Sequence, residues 1–438
     1  LSRLLGFLTR GARRGDEAVS SSSVSAAEEA QRFFALRHHS FRMFLTAWNA
    51  FQETMTDLEY TLCCDHPFGL YRVRALCTSM ATQVFQCIKQ LERLDPAPCP
   101  ALYARFGELQ KLVAEEVYEP QACLLGPLVV PLCQDDAGCL AALHSEGRVL
   151  VDPATARLEK LRPIFPGAVP QGFVVTAAGC QHYFQSVDLQ REINRCIQAA
   201  GGLAPNHLAR LSKKLGALVE ATPLPEDLAR EIIDQVWRLR GLCGGKPMQL
   251  LLRGRVWPPA AGEGEGCGVV LWGPPVSLTA SDEDILRAVR ATLASKQRAQ
   301  ALVYRRARGL AEGGAGVCLT CMAVDAGCFG GIAQSSAPLS PHSENVHVYG
   351  CASLPQEVEY STMPVDAISV SRAAPHTVTN RRPYKPKRPV LDDATAIRAA
   401  ELALAVEEAA GRPEVLTWVC NPAGQVFMLM ARPMSLPE

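Results

Sequence analysis

The stretch ELALAVEEAAGRPEVLTWVCNPAGQVFMLMARP, residues 401–433, combines three elements in a fixed order. Apolar spacing predicts a helix over Asp393–Ala410, and two apolar runs, VLTWVC and QVFMLMARP, predict strands. The segment NPAG between them is typical of a tight turn. The last strand is apolar along its length yet ends on Arg432, which raises the question of what that cation binds.

The composition limits the classes of protein to consider. The chain has 438 residues, 48% of them hydrophobic, which is enough for two or three domains with cores. Its 44 Lys+Arg residues balance its 44 Asp+Glu residues, so no basic field favours nucleic acid or an anionic membrane. We expect no nucleic-acid partner.

The cysteines and the apolar runs predict a cytoplasmic protein without a membrane span. The 17 cysteines are odd in number and show no disulfide framework, which favours a reducing compartment. The longest apolar run, Cys123–Cys133, is too short to cross a bilayer and contains two prolines.

The pattern of apolar residues along the chain changes near residue 120. Residues 1–24 are rich in Arg, Gly and Ser and predict a flexible tail, whereas residues 25–120 carry helical periodicity and predict an all-helical module. Short apolar runs then alternate with helical stretches, which is an α/β pattern. Residues 258–268 predict a loop, and residues 282–308 predict one long amphipathic helix with Ser281 as its N-cap.

Three stretches together resemble one known family. They are AVPQGFVVTAAGCQHYF (168–184), SLTASDEDILRAVRATLASKQRAQALVYRRARGL (277–310) and the closing block 401–433. In this order they resemble the N-terminal, nucleotide-binding region of the phosphoenolpyruvate synthase and pyruvate phosphate dikinase family, over about residues 125–438.

The resemblance implies a fold class. We expect an α/β (α+β) protein with an ATP-grasp-like, two-lobed domain preceded by the all-helical N-terminal module. The first lobe, with a helical insert, would cover residues 121–246, and the second lobe residues 247–438.

The resemblance also locates the family's nucleotide-binding positions, and most of them differ in this chain. In VLVDPATARLEKL (149–161), Ala154 or Thr155 stands where the family has a phosphate-binding lysine. The family's Val-Arg-Ser-Ser-Ala strand is Leu-Arg-Gly-Arg-Val (252–256), which keeps Arg253 and adds Arg255. The family's loop carrying a cation and a carboxylate appears as FGGIAQSSAP (329–338).

The closing block has lost its metal ligands. Where the family has Asp-Ile-Glu-Trp, this chain has Val-Leu-Thr-Trp (415–418), and Gln-Ala-Arg-Pro has become Met-Ala-Arg-Pro (430–433). Thr417 and Met430 are poor substitutes for the oxygen ligands that Mg²⁺ prefers. The 438 residues also contain no segment like the family's phosphohistidine motif, so we expect no phosphoryl acceptor within them.

These differences predict a catalytically degenerate member of the family that acts as a structural or regulatory subunit with protein partners, in a homo- or hetero-oligomer. We expect no catalytic residue, no bound metal and no cofactor. The alternative is ATP binding by Arg253, Arg255 and Arg432, in a phosphotransferase or a nucleotide sensor, with carboxylates supplied by Glu263, Glu265 or Glu357.

Two further motifs have functional and structural interpretations. Cys318, Cys321 and Cys328, with His342 and His347, are candidates for a metal or redox site, but buried strand cysteines are the favoured interpretation. The basic loop Arg381–Arg388 is a candidate surface for RNA or an acidic partner, and a solvated loop is favoured.

Overall fold

The computed structural model describes residues 22–63, 70–117, 126–132, 150–186, 189–200, 205–257, 269–307, 316–337, 343–359, 363–385 and 389–434. The chain divides into two compact units. The helical unit consists of Leu1–Pro67 with Leu76–Glu116, and the α/β unit of Phe68–Ala75 with Val117–Glu438. Glu263 and Glu265, with the rest of the predicted loop 258–268, and also His342 lie outside the described residues.

The helical unit contains α1 (Ser22–Cys63), α2 (Leu70–Leu94) from Leu76 onwards, and α3 (Cys99–Val117) as far as Glu116. The first two helices are antiparallel, because Gln83 Nε2 donates to Thr54 Oγ1 at 3.0 Å and Arg37 donates to the Leu94 carbonyl at 2.9 Å. The predicted all-helical N-terminal region is therefore confirmed. Its first helix begins at Ser22, inside the predicted tail, and residues 1–21 lie outside the described part of the chain.

Two antiparallel sheets form the α/β unit. The first sheet has the order β1-β2-β6-β3-β4, with β5 beside β3. Its strands are β1 (Val129–Leu132), β2 (Gly172–Val175), β3 (Met248–Trp257), β4 (Val269–Trp272), β5 (Val276–Ser277) and β6 (Gly316–Asp325). The second sheet has the order β10-β9-β8-β7-β11-β12. Its strands are β7 (Phe329–Gln334), β8 (Asn345–Cys351), β9 (Asp366–Ser371), β10 (Val378–Arg382), β11 (Glu414–Cys420) and β12 (Val426–Pro433).

Nine helices are described in the α/β unit, and most of them pack on the outer faces of the two sheets. They are α4 (Pro153–Leu161), α5 (Ala177–Gln185), α6 (Leu189–Ala200), α7 (Pro205–Ala221), α8 (Glu226–Leu242), α9 (Asp282–Ala294), α10 (Ala299–Ala307), α11 (Gln356–Glu359) and α12 (Asp393–Ala410). One core joins the first sheet to α5–α9, and another joins the second sheet to α4 and α12. The mixed α/β fold is confirmed, and it is consistent with an ATP-grasp-like architecture.

The predicted single helix over residues 282–308 is wrong. Ser281 caps its start as expected, accepting a hydrogen bond from the Asp284 amide, but α9 ends at Ala294. A 3-10 turn, Ser295–Gln297, separates it from α10. Ser295 Oγ donates to the Thr292 carbonyl at 2.5 Å, and such side-chain bonds compete with the helical ladder.

The closing block forms as predicted. Asp392 caps α12 by accepting from the Thr395 amide, and Gly411 ends the helix in the left-handed conformation, with φ 68°. The strands β11 and β12 pair from Glu414↔Pro433 to Cys420↔Val426 around the turn.

Candidate functional site

The candidate site is the layer between the two sheets, where alternate side chains of β3 and β6 face β11 and β12. On β3, Leu250 and Leu252 belong to the outer core, whereas Leu251 belongs to a cluster that also contains Leu429 of β12. Arg253 and Arg255 follow Leu251 at the period-2 spacing of a strand, so they occupy the same inner face. The sequence-predicted arginines are thus directed at the second sheet.

Asp152 brings Arg253 and Arg255 together. It is the N-cap of α4, where it accepts from the amides of Ala154 and Thr155. Its Oδ2 lies 3.7 Å from Arg253 Nη2, and its Oδ1 lies 3.7 Å from Arg255 Nη1. The three side chains are at most 2% exposed, so this is a buried ion triad of one carboxylate and two guanidinium groups.

Two threonine hydroxyl groups form hydrogen bonds beside the triad. Arg253 Nη2 donates to Thr155 Oγ1 at 2.6 Å, and Thr155 Oγ1 donates to Asp152 Oδ2 at 2.5 Å. Thr320 on β6 lies 2.7 Å from the same hydroxyl and 3.3 Å from Arg253 Nη2. Thr155, one of the two residues that the predicted resemblance aligns with the family's lysine, therefore accepts a hydrogen bond from an arginine of its own chain.

The charge of Asp152 depends on its two cations. Burial by itself raises the pKa of a carboxyl group, but Arg253 and Arg255 outweigh burial and hold the pKa of Asp152 below its ordinary value. Cys318 Sγ donates to Asp152 Oδ2 at 3.0 Å, and burial, with this neighbouring charge, raises the pKa of the Cys318 thiol well above its ordinary value. Asp152 is accordingly ionised at neutral pH and Cys318 is a thiol.

Apolar side chains from both sheets fill the rest of the layer. We call this set the inter-sheet cluster: Val130, Leu132, Val151, Val174, Ala177, Leu251, Trp272, Cys318, Met322, Val324, Cys328, Leu354, Val419 and Leu429. No member is more than 7% exposed. The cluster packs the two sheets against each other over the face where the arginines lie.

A glutamate that the sequence analysis did not single out lies at one edge of this layer. Glu359 of α11 accepts from Trp272 Nε1 at 2.6 Å through Oε2 and from Thr417 Oγ1 at 3.1 Å through Oε1. Thr417 is the residue that the predicted resemblance aligns with a family carboxylate. The carboxylate of Glu359 is thus engaged by two hydrogen-bond donors of the protein.

A β-bulge in β12 determines how Arg432 and Met430 are placed. Trp418 pairs with Met428 and Thr417 with Met430, so Leu429 is an extra residue on β12. The Leu429 carbonyl accepts from Arg253 Nη1 at 2.7 Å. Beyond the bulge, Met430 pairs with Thr417, and Arg432 pairs with Val415 two residues further along the same face.

Arg432 differs from the other two candidate arginines. It is partly exposed, and its Nε is buried without a hydrogen-bond partner among the residues that the structure describes. Arg432 is on the face of β12 that bears Met430, but no ion pair joins it to the triad within the described ranges. Whether these three arginines bind a nucleotide stays a prediction.

The cysteine motif does not converge on one point. Cys318 and Cys321 are both fully buried on β6, but Cys318 lies in the inter-sheet cluster and Cys321 in the outer core. Residues three apart on a strand point to opposite faces. Among the described residues no group of His, Cys, Asp and Glu could hold a metal ion.

Arg381 of the basic loop has local partners, and Ser336 of the family block 329–338 is buried. Arg381 donates to the carbonyl of Leu391 at 3.0 Å and pairs with Asp393, and residues 386–388 of the loop lie outside the described part. Ser336 is buried, at 1% exposure, in the block 329–338.

Asp152 could have been found in the sequence. The spacing Asp-Pro-x-Thr is a helix-start signal, with an N-cap acceptor followed by proline at the first helical position. What the signal does not show is that the cap also faces β3, because that contact joins residues about a hundred positions apart.

The comparison with known proteins supports the family resemblance that the sequence predicts. Residues 156–254, which run from α4 to the Arg253 region of β3, match the family described as pyruvate phosphate dikinase, AMP/ATP-binding domain. The predicted resemblance to the nucleotide-binding region of this family is thereby confirmed.

One curated protein is similar to this chain over a longer stretch than the family match. The chain is 20% identical over 288 residues to a protein named "Probable phosphoenolpyruvate synthase" from Methanocaldococcus jannaschii. The aligned part covers 61% of this chain and 24% of that protein, so the chain spans about a quarter of its relative's length.

Proposed function

We propose that this protein is a catalytically degenerate, phosphoenolpyruvate-synthase-like protein that acts as a structural or regulatory subunit of a larger assembly. The observation that carries the proposal is the buried triad of Asp152, Arg253 and Arg255. A carboxylate of the chain already pairs with two of the three arginines proposed to bind a phosphate group.

Electrostatics supports this proposal. Arg253 and Arg255 are 0% and 1% exposed, and Asp152 is 0% exposed. A phosphate entering this layer would have to displace the carboxylate or share the two cations with it, and like charges a few ångströms apart repel strongly in a buried site. A phosphate group is therefore disfavoured beside Arg253 and Arg255 while Asp152 pairs with them.

The metal chemistry supports it as well. Mg²⁺ requires oxygen ligands in octahedral geometry, whereas Met430 offers a thioether and Thr417 donates its hydroxyl hydrogen to Glu359. Phosphoryl transfer relies on positioned cations and metal ions, so a site without them has little to stabilise the transition state.

The proposed setting is the cytoplasm, where buried thiols such as Cys318 and Cys321 stay reduced. No described helix is both long enough and apolar enough to cross a membrane. We propose protein partners in place of a small-molecule substrate.

A second candidate function is nucleotide sensing or phosphotransfer, and Arg432 is the observation that favours it. The Arg432 Nε is buried without a partner among the described residues, on the face of β12 that bears Met430. Glu357 and Glu359 are carboxylates on the neighbouring α11.

Thermal melting of the whole chain, with and without millimolar MgATP, tests the proposal. A ligand that binds only the folded state raises its stability by about 2.7 kcal/mol at a hundred times its dissociation constant. We expect no shift. A rise that requires Mg²⁺ would overturn the proposal in favour of a phosphotransferase, and a rise with ATP alone would favour a sensor.

The Arg432→Met variant is the matched control for an increase in melting temperature, whether the increase requires Mg²⁺ or occurs with ATP alone. A nucleotide-dependent shift that disappears in this variant would assign the binding to the candidate site. A shift that persists would place the nucleotide elsewhere on the chain.

A further inference from the structure

Strand β10 is the terminal strand of the second sheet and pairs only with β9 among the strands that the structure describes. In an antiparallel pair, every second residue turns its N–H and C=O groups away from the partner strand. The outer edge of β10 therefore carries main-chain donors and acceptors that no described strand uses. A β-bulge at Thr379 leaves Asn380–Arg382 as the regular part of this edge.

The side chains along this edge are cationic. Arg381 and Arg382 lie on opposite faces of the strand, since neighbouring residues of a strand alternate. Arg381 pairs with Asp393 at the start of α12, whereas Arg382 is exposed and has no ion pair within the described ranges. Lys385 is exposed as well, and the sequence has no acidic residue from 378 to 390. The edge thus keeps a positive charge that no neighbouring carboxylate compensates.

A buried carboxylate fixes the loop that follows the strand. Asp366 of β9, which is 2% exposed, accepts from the Tyr384 amide at 2.8 Å. Its other oxygen accepts from the amides of Val390 at 2.6 Å and Leu391 at 3.1 Å. Both ends of the loop are therefore attached beside β9. Next to the free edge lies the Tyr384 ring, 59% exposed, with Lys385 Nζ 5.8 Å from its centroid.

We infer that this surface binds an extended, acidic segment of a partner protein. We call the surface the β10 edge and define it by Asn380, Arg382, Tyr384 and Lys385. The segment adds a short strand beside Asn380–Arg382, and its carboxylates lie against the two exposed cations. Tyrosine and arginine suit such a surface, because both are enriched at the centres of protein interfaces.

Charge complementarity selects the partner. Two copies of this chain meeting edge to edge would bring like charges together in any register, because the edge carries cations and no acid. An acidic strand is attracted by Arg382 and Lys385 together. A nucleic acid would be attracted too, but it has no peptide groups to extend a sheet, so the free edge favours a peptide.

Fluorescence anisotropy with the full chain tests the inference. The probe is a fluorescein-labelled heptapeptide of alternating threonine and glutamate, a pattern that places its carboxylates on one face of a strand. Because the regular edge is short, we expect a dissociation constant of about 10–100 µM at low salt. Binding should weaken more than about tenfold between about 50 and about 500 mM salt.

The variant Arg382→Glu combined with Lys385→Glu tests the charges of the β10 edge. It should weaken binding at least about tenfold, because two attractions become repulsions. The matched control is Lys213→Glu combined with Lys214→Glu, which makes the same change of net charge at two exposed lysines of α7. This control should bind like the wild type, and equal losses in both variants would overturn the assignment to the β10 edge. Circular dichroism would establish that both variants are folded.

Methylation of the probe's main chain tests the added strand. A peptide N-methylated at every residue keeps its charges but has no amide hydrogen to donate to the edge. We expect it to bind at least about fivefold more weakly, which corresponds to the loss of one or two hydrogen bonds. Equal binding of the methylated and unmethylated peptides would overturn strand addition.

Other results would also overturn the inference. One is the absence of saturable binding at peptide concentrations up to about 1 mM, well above the expected dissociation constant. Another is tighter binding of a uridine heptanucleotide that Arg382→Glu combined with Lys385→Glu abolishes, which would assign the surface to RNA.

The inference deepens the proposed function by stating the chemistry of one protein partner, and it rests on that proposal only for the expectation of such a partner. Peptide binding is measured without nucleotide. Its failure is therefore distinguishable from a rise of the melting temperature with MgATP, which is the failure of the proposed function.

Discussion

Replacing Asp152 by asparagine removes the negative charge that Arg253 and Arg255 share and preserves the shape of the side chain. Breaking a buried ion pair from one side costs about 3–5 kcal/mol, because the remaining charges stay buried without compensation. Urea unfolding followed by tryptophan fluorescence reports on the α/β unit through the buried Trp272 and Trp418. With a slope of about 3 kcal/mol per molar urea, the midpoint should fall by about 1–1.7 M.

The effect has a defined pH dependence. Because the folded-state pKa of Asp152 is depressed, its contribution to stability is fully present above the unfolded-state pKa, about 3.9, and is lost as the pH falls through the folded-state value. The difference between wild type and Asp152→Asn should therefore stay constant from pH 8 to about pH 5 and shrink only below about pH 4.

Asp227 provides the control. The pKa of its carboxyl group is also lowered, mainly by its hydrogen bond with His182, but its side chain is 57% exposed. Asp227→Asn should change the urea midpoint little, because exposed ion pairs contribute little to stability. An Asp152→Asn midpoint equal to that of the wild type would refute the electrostatic role of the triad.

Two further predictions concern packing and thiol chemistry. Gly331→Ala should destabilise the second sheet, because a Cβ at this position would lie 1.8 Å from the Tyr349 carbonyl oxygen. Gly216→Ala, on the open face of a helix, should raise the free energy of unfolding by about 0.5–1 kcal/mol. The urea midpoints of the two variants measure both effects. Alkylation of the native protein, followed by mass spectrometry, should modify the exposed Cys63 and spare Cys321. Burial raises the pKa of the Cys321 thiol well above its ordinary value, so little reactive thiolate forms. Equal modification of both cysteines would contradict the buried placement of β6.

The closing block was predictable because its signals are local. The helix over Asp393–Ala410, the turn after Cys420 and the two strands all follow from apolar spacing and from glycine and proline placement. The break at Ser295–Gln297 was not predictable in this way. It depends on side-chain bonds and on the buried surroundings of Lys296, which an amphipathic pattern does not encode.

The candidate site was predictable only in part. Arg253 and Arg255 were found because a family motif marks their strand, but their partner Asp152 lies on another element, and a helix-cap signal gives no hint of a distant strand. Glu359 was missed because no motif marks its four-residue helix. Contacts between sequence-distant groups depend on the assembled tertiary structure.

The bulge at Leu429 has a consequence for how this layer can change over evolutionary time. Arg253 binds the main chain at this position, so no substitution of the Leu429 side chain removes the acceptor. Deleting one residue from β12 would remove the extra residue and, with it, the local break in the β11–β12 ladder at which this carbonyl lies. The contact is therefore encoded by the length of the strand, and insertions or deletions would disrupt it more readily than point substitutions.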